Sequence, residues 1–268
     1  MSLRHTLSVA PHLVGLFIRT QLEYRGAFFI DRVAQIVAYG AAYAGIWVIL
    51  ERFGTLDGWT WSDMALLLAT HLLVYSMGAA ASFTQMRDLE DMCAKGTFDV
   101  LLVKPYSPWA YLVFSGLNIG YAGHVVLGVG LMAWAVTAVD IAWTPGLAIY
   151  FIAAMLSGAM VVGAIITMIG ASAMVLVRSR HLYSIFFGFW ELVRYPLSIF
   201  PAAIQVILLT VIPLAFLNYV PAAFVLGKPI PIFGDWAGYA APFVGPLTVA
   251  LAAWHWRYCT RYYQGGGG

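Results

Sequence analysis

Charged residues divide this chain into long apolar stretches. Six stretches between consecutive Asp, Glu, Lys or Arg residues contain no charge, namely 33–50, 64–86, 105–139, 141–177, 195–227 and 236–256. A helix needs about 20 apolar residues to cross roughly 30 Å of hydrocarbon, and each stretch provides one crossing. The pattern therefore predicts an all-α polytopic membrane protein with six transmembrane helices.

Prolines and stretch lengths set the ends of these spans. The 105–139 stretch opens with Pro105 and Pro108, which places the start of its helix near residue 110. The 141–177 stretch is too short for two crossings and a turn, so it predicts one long helix. In a single domain over 1–268, the predicted spans are about 31–51, 64–86, 110–137, 146–177, 199–224 and 237–257.

Composition and charge support the membrane class and orient the chain. Hydrophobic residues make up 62% of the 268 residues, charged residues 10%, and the mean hydropathy is +0.84. A soluble domain carries about 45–50% apolar and about 25% charged residues, so that class is excluded. Lys and Arg are retained on the cytoplasmic side. An inside N-terminus leaves only Arg52 and Lys228 outside, out of 14 basic residues. We expect a bacterial-type inner-membrane protein with both termini cytoplasmic.

Several segments flank or interrupt the spans. Residues 11–25 carry apolar positions at helical spacing and predict an amphipathic helix in the inner interface, the alternative being a plain lead-in to the first span. Residues 182–195 predict a second interfacial helix, and residues 265–268 a flexible glycine tail. Three prolines predict that the fifth span is bent or broken, namely Pro196, Pro201 and Pro213.

The segment 87–108, between the second and third spans, is the most informative loop. It holds charged residues beside an apolar set too large for a plain linker, namely Phe98, Val100, Leu101 and Leu102. Gly96 can adopt positive φ and end a short helix, and Pro105 stops the next piece. Two short helices with charged and apolar faces predict a docking surface. The alternative is a solvated loop whose apolar residues enter the membrane interface.

The loop and several other segments resemble a known family. Its members carry a Gly-x-φ-Asp-x-x-Leu-x-[Lys/Arg]-Pro signature after the second span, where φ is apolar. In this chain the signature corresponds to Gly96, Phe98, Asp99, Leu102, Lys104 and Pro105. Similar segments are Tyr24-Arg25, 195–200, 212–216, 219–222 and 256–262. In this order and on this topology, the chain resembles the permeases of type-2 ABC exporters, most closely the six-helix subfamily that includes viologen-exporter-like subunits.

The resemblance implies a role for both inner loops. In such permeases a short cytoplasmic helix inserts into a cleft of the ATP-binding subunit and transmits nucleotide-driven motion to the spans. The implied coupling-loop residues are Arg87, Asp88, Glu90, Asp91, Gly96, Phe98, Asp99, Leu101, Leu102, Lys104 and Pro105. Phe98, Leu101 and Leu102 are expected to anchor in an apolar cleft, and the acidic and basic residues to form its charged rim. Arg178 and Arg180 of the second loop imply a minor contact, or simply retention of positive charge inside.

The resemblance also places a translocation path at the centre of a dimer, lined by the first, second and fifth spans. Tyr39 and Tyr43 recur at helical spacing in the first span, and Gln205 is a rare polar group in the fifth that needs a partner in hydrocarbon. Such a lining suits a hydrophobic or cationic organic substrate, the alternative being a helix-packing surface. The implied assembly has two permease chains, identical or related, in the lipid bilayer and two copies of an ABC ATPase subunit.

Absent motifs narrow the function further. The chain has no Gly-x-x-x-x-Gly-Lys-[Ser/Thr] phosphate loop, so no cofactor is expected on it, and ATP and Mg are expected on the partner ATPase. The apolar stretches hold no carboxylate, which argues against an ion-coupled transporter. No metal-binding or nucleophile motif occurs, and no nucleic-acid partner is expected. We therefore expect a transport subunit and not an enzyme, the alternatives being a membrane channel or a membrane-embedded enzyme without an ATPase partner.

Overall fold

The computed structural model describes residues 14–15, 19–176 and 178–265. Its α-helices are α1 (Arg25–Phe53), α2 (Trp61–Ala80), α3 (Phe83–Ala94), α4 (Thr97–Leu102), α5 (Pro108–Ser115), α6 (Ala122–Ala138), α7 (Pro145–Ser172), α8 (Arg180–Leu192), α9 (Ala202–Val206), α10 (Tyr219–Val225) and α11 (Asp235–Tyr262). Short 3₁₀ turns lie at Ile119–Tyr121, Leu197–Ile199 and Leu214–Leu217. Much of the predicted interfacial helix 11–25 and the end of the glycine tail lie outside the described residues.

Five helical stretches are long and apolar enough to cross a membrane, namely Arg25–Phe53, Trp61–Ala94, Ile119–Ala138, Pro145–Ser172 and Asp235–Tyr262. They overlap the predicted first, second, third, fourth and sixth spans, although the second stretch continues to Ala94, within the predicted loop 87–108, and the third begins only at Ile119. The predicted fifth span, 199–224, is divided into a short apolar helix at Ala202–Val211, a 3₁₀ turn and α10. Pro201 and Pro213 flank the short helix, and proline has no N–H to continue a helical ladder.

Helices α2 and α3 form the buried axis of the fold. α2 begins with a reciprocal cap, in which the Thr60 N–H donates to the Asp63 carboxylate at 2.9 Å and the Asp63 N–H donates to the Thr60 hydroxyl at 3.4 Å. The helix then breaks at residues 81–82, and the break frees the carbonyl of Ala80. That carbonyl accepts a hydrogen bond from the Asn118 N–H at 2.8 Å, which ties the break to the start of the third span.

The predicted third span, 110–137, is interrupted near its start. α5 ends at Ser115 and α6 begins only at Ala122. Asn118 accounts for the interruption, because its side chain accepts from the Gly120 N–H at 2.7 Å and donates to the Thr84 hydroxyl at 3.1 Å. Local side-chain hydrogen bonds of this kind compete with the helical ladder. The apolar crossing helix is therefore shorter than the sequence alone predicts.

Helices α7 and α11 pair closely, and α7 repairs a defect in its partner. Pro242 lies inside α11 and lacks an N–H, so the carbonyl of Gly238 loses its helical partner. The Tyr150 hydroxyl of α7 donates to that carbonyl at 2.7 Å. The Ser157 hydroxyl, also on α7, accepts a hydrogen bond from the Gly245 N–H at 2.8 Å. In hydrocarbon, where water supplies no partner, such repair is what makes an intrahelical proline tolerable.

Helix α8, which covers most of the predicted interfacial segment 182–195, lies along α2 and α3. Its buried side chains Tyr183, Phe186 and Trp190 recur every three or four positions and form one face. The Trp190 ring stacks on His71, with 3.9 Å between ring centroids, and His71 is fully buried ten residues into α2. The burial of this aromatic face holds α8 against the α2–α3 axis, and its position in the membrane interface stays a prediction.

We call the end of the molecule that carries residues 87–108 the loop end. At the opposite end, Lys228 holds the segment after α10 to the start of α2. Its ammonium lies 3.0 Å from the Asp63 carboxylate and donates to the Gly58 carbonyl at 2.8 Å, with the Trp59 ring centroid 5.3 Å away. Both charged side chains are mostly buried. This contact closes the divided fifth segment onto the α1–α2 connection.

Substituting Lys228 by methionine is expected to lower the stability of the chain by about 1.5–3 kcal/mol, the range for hydrogen bonds to charged groups. The reason is that the Asp63 carboxylate and the Gly58 carbonyl both lose a mostly buried donor. Thermal unfolding in detergent micelles measures the loss. Arg52→Met, which removes an exposed positive charge at the same end, serves as the control and should leave the unfolding temperature unchanged. Equal unfolding temperatures for the two variants would contradict the role given to Lys228.

Candidate functional site

The loop end contains two short helices separated by a sharp turn, as the sequence predicts. Gly96 has a φ of +69°, in the left-handed region that glycine adopts without strain. α3 ends before it, and α4 starts after it. The Thr97 hydroxyl donates to the carbonyl of Met92 at 3.3 Å and closes the turn. Pro105 follows α4, and α5 begins at Pro108. The local chemistry of glycine and proline thus fixes the shape of the loop.

Phe98 and Leu101 of α4 are buried within this chain and do not face outward. Phe98 is fully buried and Leu101 is 5% exposed. The Phe98 ring lies 5.1 Å from the ring of Tyr263 and 6.4 Å from that of Trp256, between ring centroids. Neither side chain is exposed to a partner in this structure, and their anchoring in a partner cleft stays a prediction. They fasten α4 to the end of α11.

Three other apolar residues in α4 and directly after it are exposed. Val100 is 56% exposed, Leu102 41% and Val103 84%. We call these three residues the α4 patch. Leu102, which was expected to face a partner, is exposed, whereas Val103 was not singled out by sequence. The sequence did contain a signal for Val103, since residues 100 and 103 are one helical turn apart and share a face.

The expected charged rim separates into an exposed pair and an engaged pair. Arg87 and Asp88 contact each other at 3.5 Å and are about half exposed. Glu90 and Asp91 face the second loop instead. Asp91 pairs with the Arg180 guanidinium at 2.6 Å. The Glu90 side chain is only 15% exposed, so it is not available as rim in this conformation.

Glu90 binds the backbone at the start of α8. Its carboxylate accepts from the N–H of Ser179 at 2.6 Å, from the N–H of Arg180 at 2.8 Å and from the Ser179 hydroxyl at 3.3 Å. The second loop thus contacts the first, a relation that the sequence did not predict.

The other predicted loop residues occupy the periphery of α4. Asp99 lies in its first turn, where a carboxylate complements the positive helix end, and Gly265 lies beside its carboxylate. The Lys104 ammonium lies 4.4 Å from the centroid of the Tyr111 ring of α5. Arg178 is exposed just before α8. The structure therefore brings most of the predicted coupling-loop residues to one end of the molecule.

The three predicted path residues do not form one site. Tyr39 and Tyr43 on α1 contact each other edge to face, with ring centroids 6.2 Å apart, and Tyr43 is only 4% exposed. Tyr39 also lies 4.6 Å from His124 on α6. The amide of Gln205 donates to the carbonyl of Phe200 at 2.8 Å. Gln205 thus finds the partner it needs within its own segment, away from the tyrosines.

An aromatic cluster lies between α1, α2, α6 and α8. We define it by Tyr39, Tyr75, Tyr121, His124 and Trp190, whose rings contact one another in a chain. Trp190 lies 4.2 Å from Tyr75, between ring centroids. The sequence placed Trp190 at the inner interface and so missed its part in this cluster. The spacing of aromatic residues in α8 was the available signal.

Metal-binding chemistry has no counterpart among the described residues. No group of three or more His, Cys, Asp or Glu side chains there is arranged to hold a metal ion. Cys93 and Cys259 are free thiols, half-buried and buried respectively. The features that remain for function are the loop end and the aromatic cluster.

Long apolar helices, with a helical loop extending from the central pair, define a polytopic membrane protein. A family model described as ABC-2 family transporter protein matches residues 36–267. This chain belongs to that family, and as such is a permease component of an ABC transporter, a membrane subunit that is not itself catalytic. Searches of curated proteins and of solved structures gave no match.

Proposed function

We propose that this chain is the permease subunit of an ATP-binding-cassette exporter and is driven by separate ATPase chains that dock at its loop end. The observation that carries the proposal is the α4 patch, an exposed apolar surface on a helix whose other face is anchored to α11. Exposed apolar residues outside a membrane mark interaction sites. The distribution of Lys and Arg supports a cytoplasmic position for this end, where an ATPase would be available.

The structure of α4 supports docking in a specific way. The buried side chains of Phe98 and Leu101 fix α4 against the rest of the chain, so the exposed Val100 and Val103 are held in place. A preorganised surface loses little conformational entropy on binding. The exposed Arg87–Asp88 pair lies on the preceding helix and supplies the polar rim that usually surrounds an apolar interface core. In this proposal ATP and Mg bind the partner chains, with no cofactor on the permease.

The proposed assembly contains two permease chains and two ATPase chains in the inner membrane of a bacterial-type cell. The translocation path runs through this membrane part, and the substrate is a hydrophobic organic compound. The Arg194 guanidinium already lies 5.6 Å from the centroid of the Tyr39 ring, so the face expected to attract a cation is occupied. This contact favours the hydrophobic over the cationic substrate class, because this face of the ring is not open to a second cation.

Affinity purification of the tagged chain from native membranes, with mass spectrometry of the co-purifying proteins, tests the proposal. We expect an ABC ATPase at about one copy per permease chain, since the proposed assembly pairs two with two. Val100→Asp combined with Val103→Asp is expected to abolish its recovery, because two carboxylates would replace the apolar centre of the interface.

The matched control is Phe53→Asp, which alters an exposed apolar residue at the end of α1 opposite the loop. It should retain the ATPase at the wild-type level. Gel filtration of each variant checks that the permease itself is folded. Recovery of the wild-type permease alone, with no ATP-binding subunit under mild detergent conditions, would refute the proposed function. Retention of the ATPase by the folded double variant would refute the α4 patch as its docking surface.

A further inference from the structure

Helix α8 is fastened at its first residues by a carboxylate from another helix. The N-terminus of a helix has unpaired N–H groups and a partial positive charge. Glu90 satisfies two of these N–H groups at 2.6 and 2.8 Å from a position 89 and 90 residues earlier in the chain. Arg180 adds an ion pair with Asp91 at 2.6 Å. Hydrogen bonds to charged groups are the strong ones, so this contact joins α3 firmly to α8.

Aromatic contacts hold the rest of α8, and its earlier residues contact α3 while its later residues contact α2. Phe83, at the start of α3, contacts Tyr183 at 5.7 Å and Phe187 at 5.6 Å between ring centroids. Trp190 contacts His71 of α2 at 3.9 Å. α8 therefore runs antiparallel to the α2–α3 pair. Its two attachments, to α3 at one end and to α2 at the other, lie on opposite sides of the break at residues 81–82.

The far end of α8 reaches the aromatic cluster. The buried side chain of Asn218 donates to the carbonyl of Val193 at 2.6 Å, just past the last residue of the helix. Arg194 follows, pairs with Glu191 at 2.9 Å and lies over the ring of Tyr39. A displacement of α8 along its axis would therefore change both the stack on His71 and the contact with Tyr39.

We propose that Glu90 is the positioning residue that makes α8 follow the coupling loop, so that tilting of α3 about the break slides α8 along α2 and rearranges the aromatic cluster. The inference rests on the proposed function in one respect, since an ATPase docked on α4 supplies the force that tilts α3. α8 is attached to α3 on one side of the break and to α2 on the other. Because α8 is a continuous helix between these attachments, a tilt of α3 would shift α8 along α2. The cluster is the element that this shift rearranges.

Glu90 is distinguished from its acidic neighbours by what it contacts. Among the described residues, the Asp88 carboxylate forms an ion pair only with the adjacent Arg87, and it is about half exposed. Asp91 holds a single guanidinium and is also about half exposed. Glu90 alone among the three binds backbone N–H groups, so it holds the helix itself and not a flexible side chain. Glu90→Ala removes all of these contacts. Glu90→Gln keeps an oxygen acceptor but loses the charge.

The test measures whether α8 moves when nucleotide binds. Exposed Ser184 of α8 and exposed Ala253 of α11 are each replaced by an unnatural amino acid with a keto group, to which a spin label is attached. This labelling leaves the native cysteines unmodified. Pulsed electron paramagnetic resonance then gives the distance between the labels in the purified permease–ATPase complex, without nucleotide and with ATP and vanadate. In wild type we expect a shift of this distance. In Glu90→Ala we expect the shift to be lost while ATP hydrolysis and ATPase retention continue.

Partial rescue separates positioning from folding. Glu90→Gln is expected to show a shift between those of wild type and Glu90→Ala, and Glu51→Gln, at the exposed end of α1, to match wild type. A full shift in either Glu90 variant would overturn the inference, and so would a wild-type complex with bound ATPase whose label distance does not change. Failure to recover any ATPase would instead count against the proposed function, which the purification experiment registers before any label distance is measured.

Discussion

Replacing Phe98 by alanine is expected to destabilise the folded chain by about 3–5 kcal/mol, the range for large aromatic residues removed from a packed core. The Phe98 side chain is fully buried between α4 and the end of α11, against Tyr263 and Trp256. A cavity there would release α4 from its base. Thermal unfolding of the purified chain, followed by tryptophan fluorescence, measures the loss.

Val103→Ala is the control for this prediction, because it shortens an exposed side chain just past the end of α4. Its unfolding temperature should equal that of wild type. A Phe98→Ala chain that unfolds like wild type yet no longer retains the ATPase would show that Phe98 docks into the partner. That result would restore the interpretation favoured by the sequence and contradict the packing described here.

Gly245→Val is expected to prevent the close pairing of α7 and α11 and to cost about 3 kcal/mol or more, at the upper end for overpacked sites. A Cβ atom at residue 245 would collide with the backbone of Ser157, which cannot rotate away as a side chain can. The same change would displace the Ser157 hydroxyl, which donates to the Ala241 carbonyl at 2.6 Å. Yield of monodisperse protein and its thermal unfolding report the effect.

Gly130→Ala, at a glycine without close neighbours, is expected not to destabilise the chain. A Cβ atom at Gly130 of α6 meets nothing within 4 Å, and alanine stabilises an exposed helix interior relative to glycine by about 0.5–1 kcal/mol. This variant should therefore unfold at or above the wild-type temperature. If both glycine variants behave alike, the close contact at Gly245 does not limit the stability of the chain.

The sequence predicted the membrane class, the loop and its internal turn because those features depend on local signals. Charge-free stretches set the apolar helices, and Gly96 has the positive φ expected at the turn. Pro201 and Pro213 likewise predicted the divided fifth segment. Each of these effects acts within a few residues of its cause, so a single sequence is enough to predict it.

Features that depend on distant partners were not predictable in this way. Whether Phe98 points inward is decided by Tyr263, 165 residues later. Glu90 and Asp88 are both acidic residues of the same predicted loop, and the sequence does not show that only Glu90 contacts Ser179. The spacing of the aromatic residues of α8 predicts one apolar face, but it does not show that α2 is the helix against which this face packs. Tertiary contacts of this kind override local preference.

The break at residues 81–82 gives α3 the geometry of a lever with a short arm. α3 has 12 residues, which at 1.5 Å rise per residue makes an arm of about 18 Å. A pivot of about 10° at its base would carry the far tip sideways by about 3 Å. The Asn118 N–H bonded to the Ala80 carbonyl sits at the fulcrum, where displacement is smallest. A small angular change can therefore deliver most of its travel at Gly96 and α4, while the start of α6 stays nearly still.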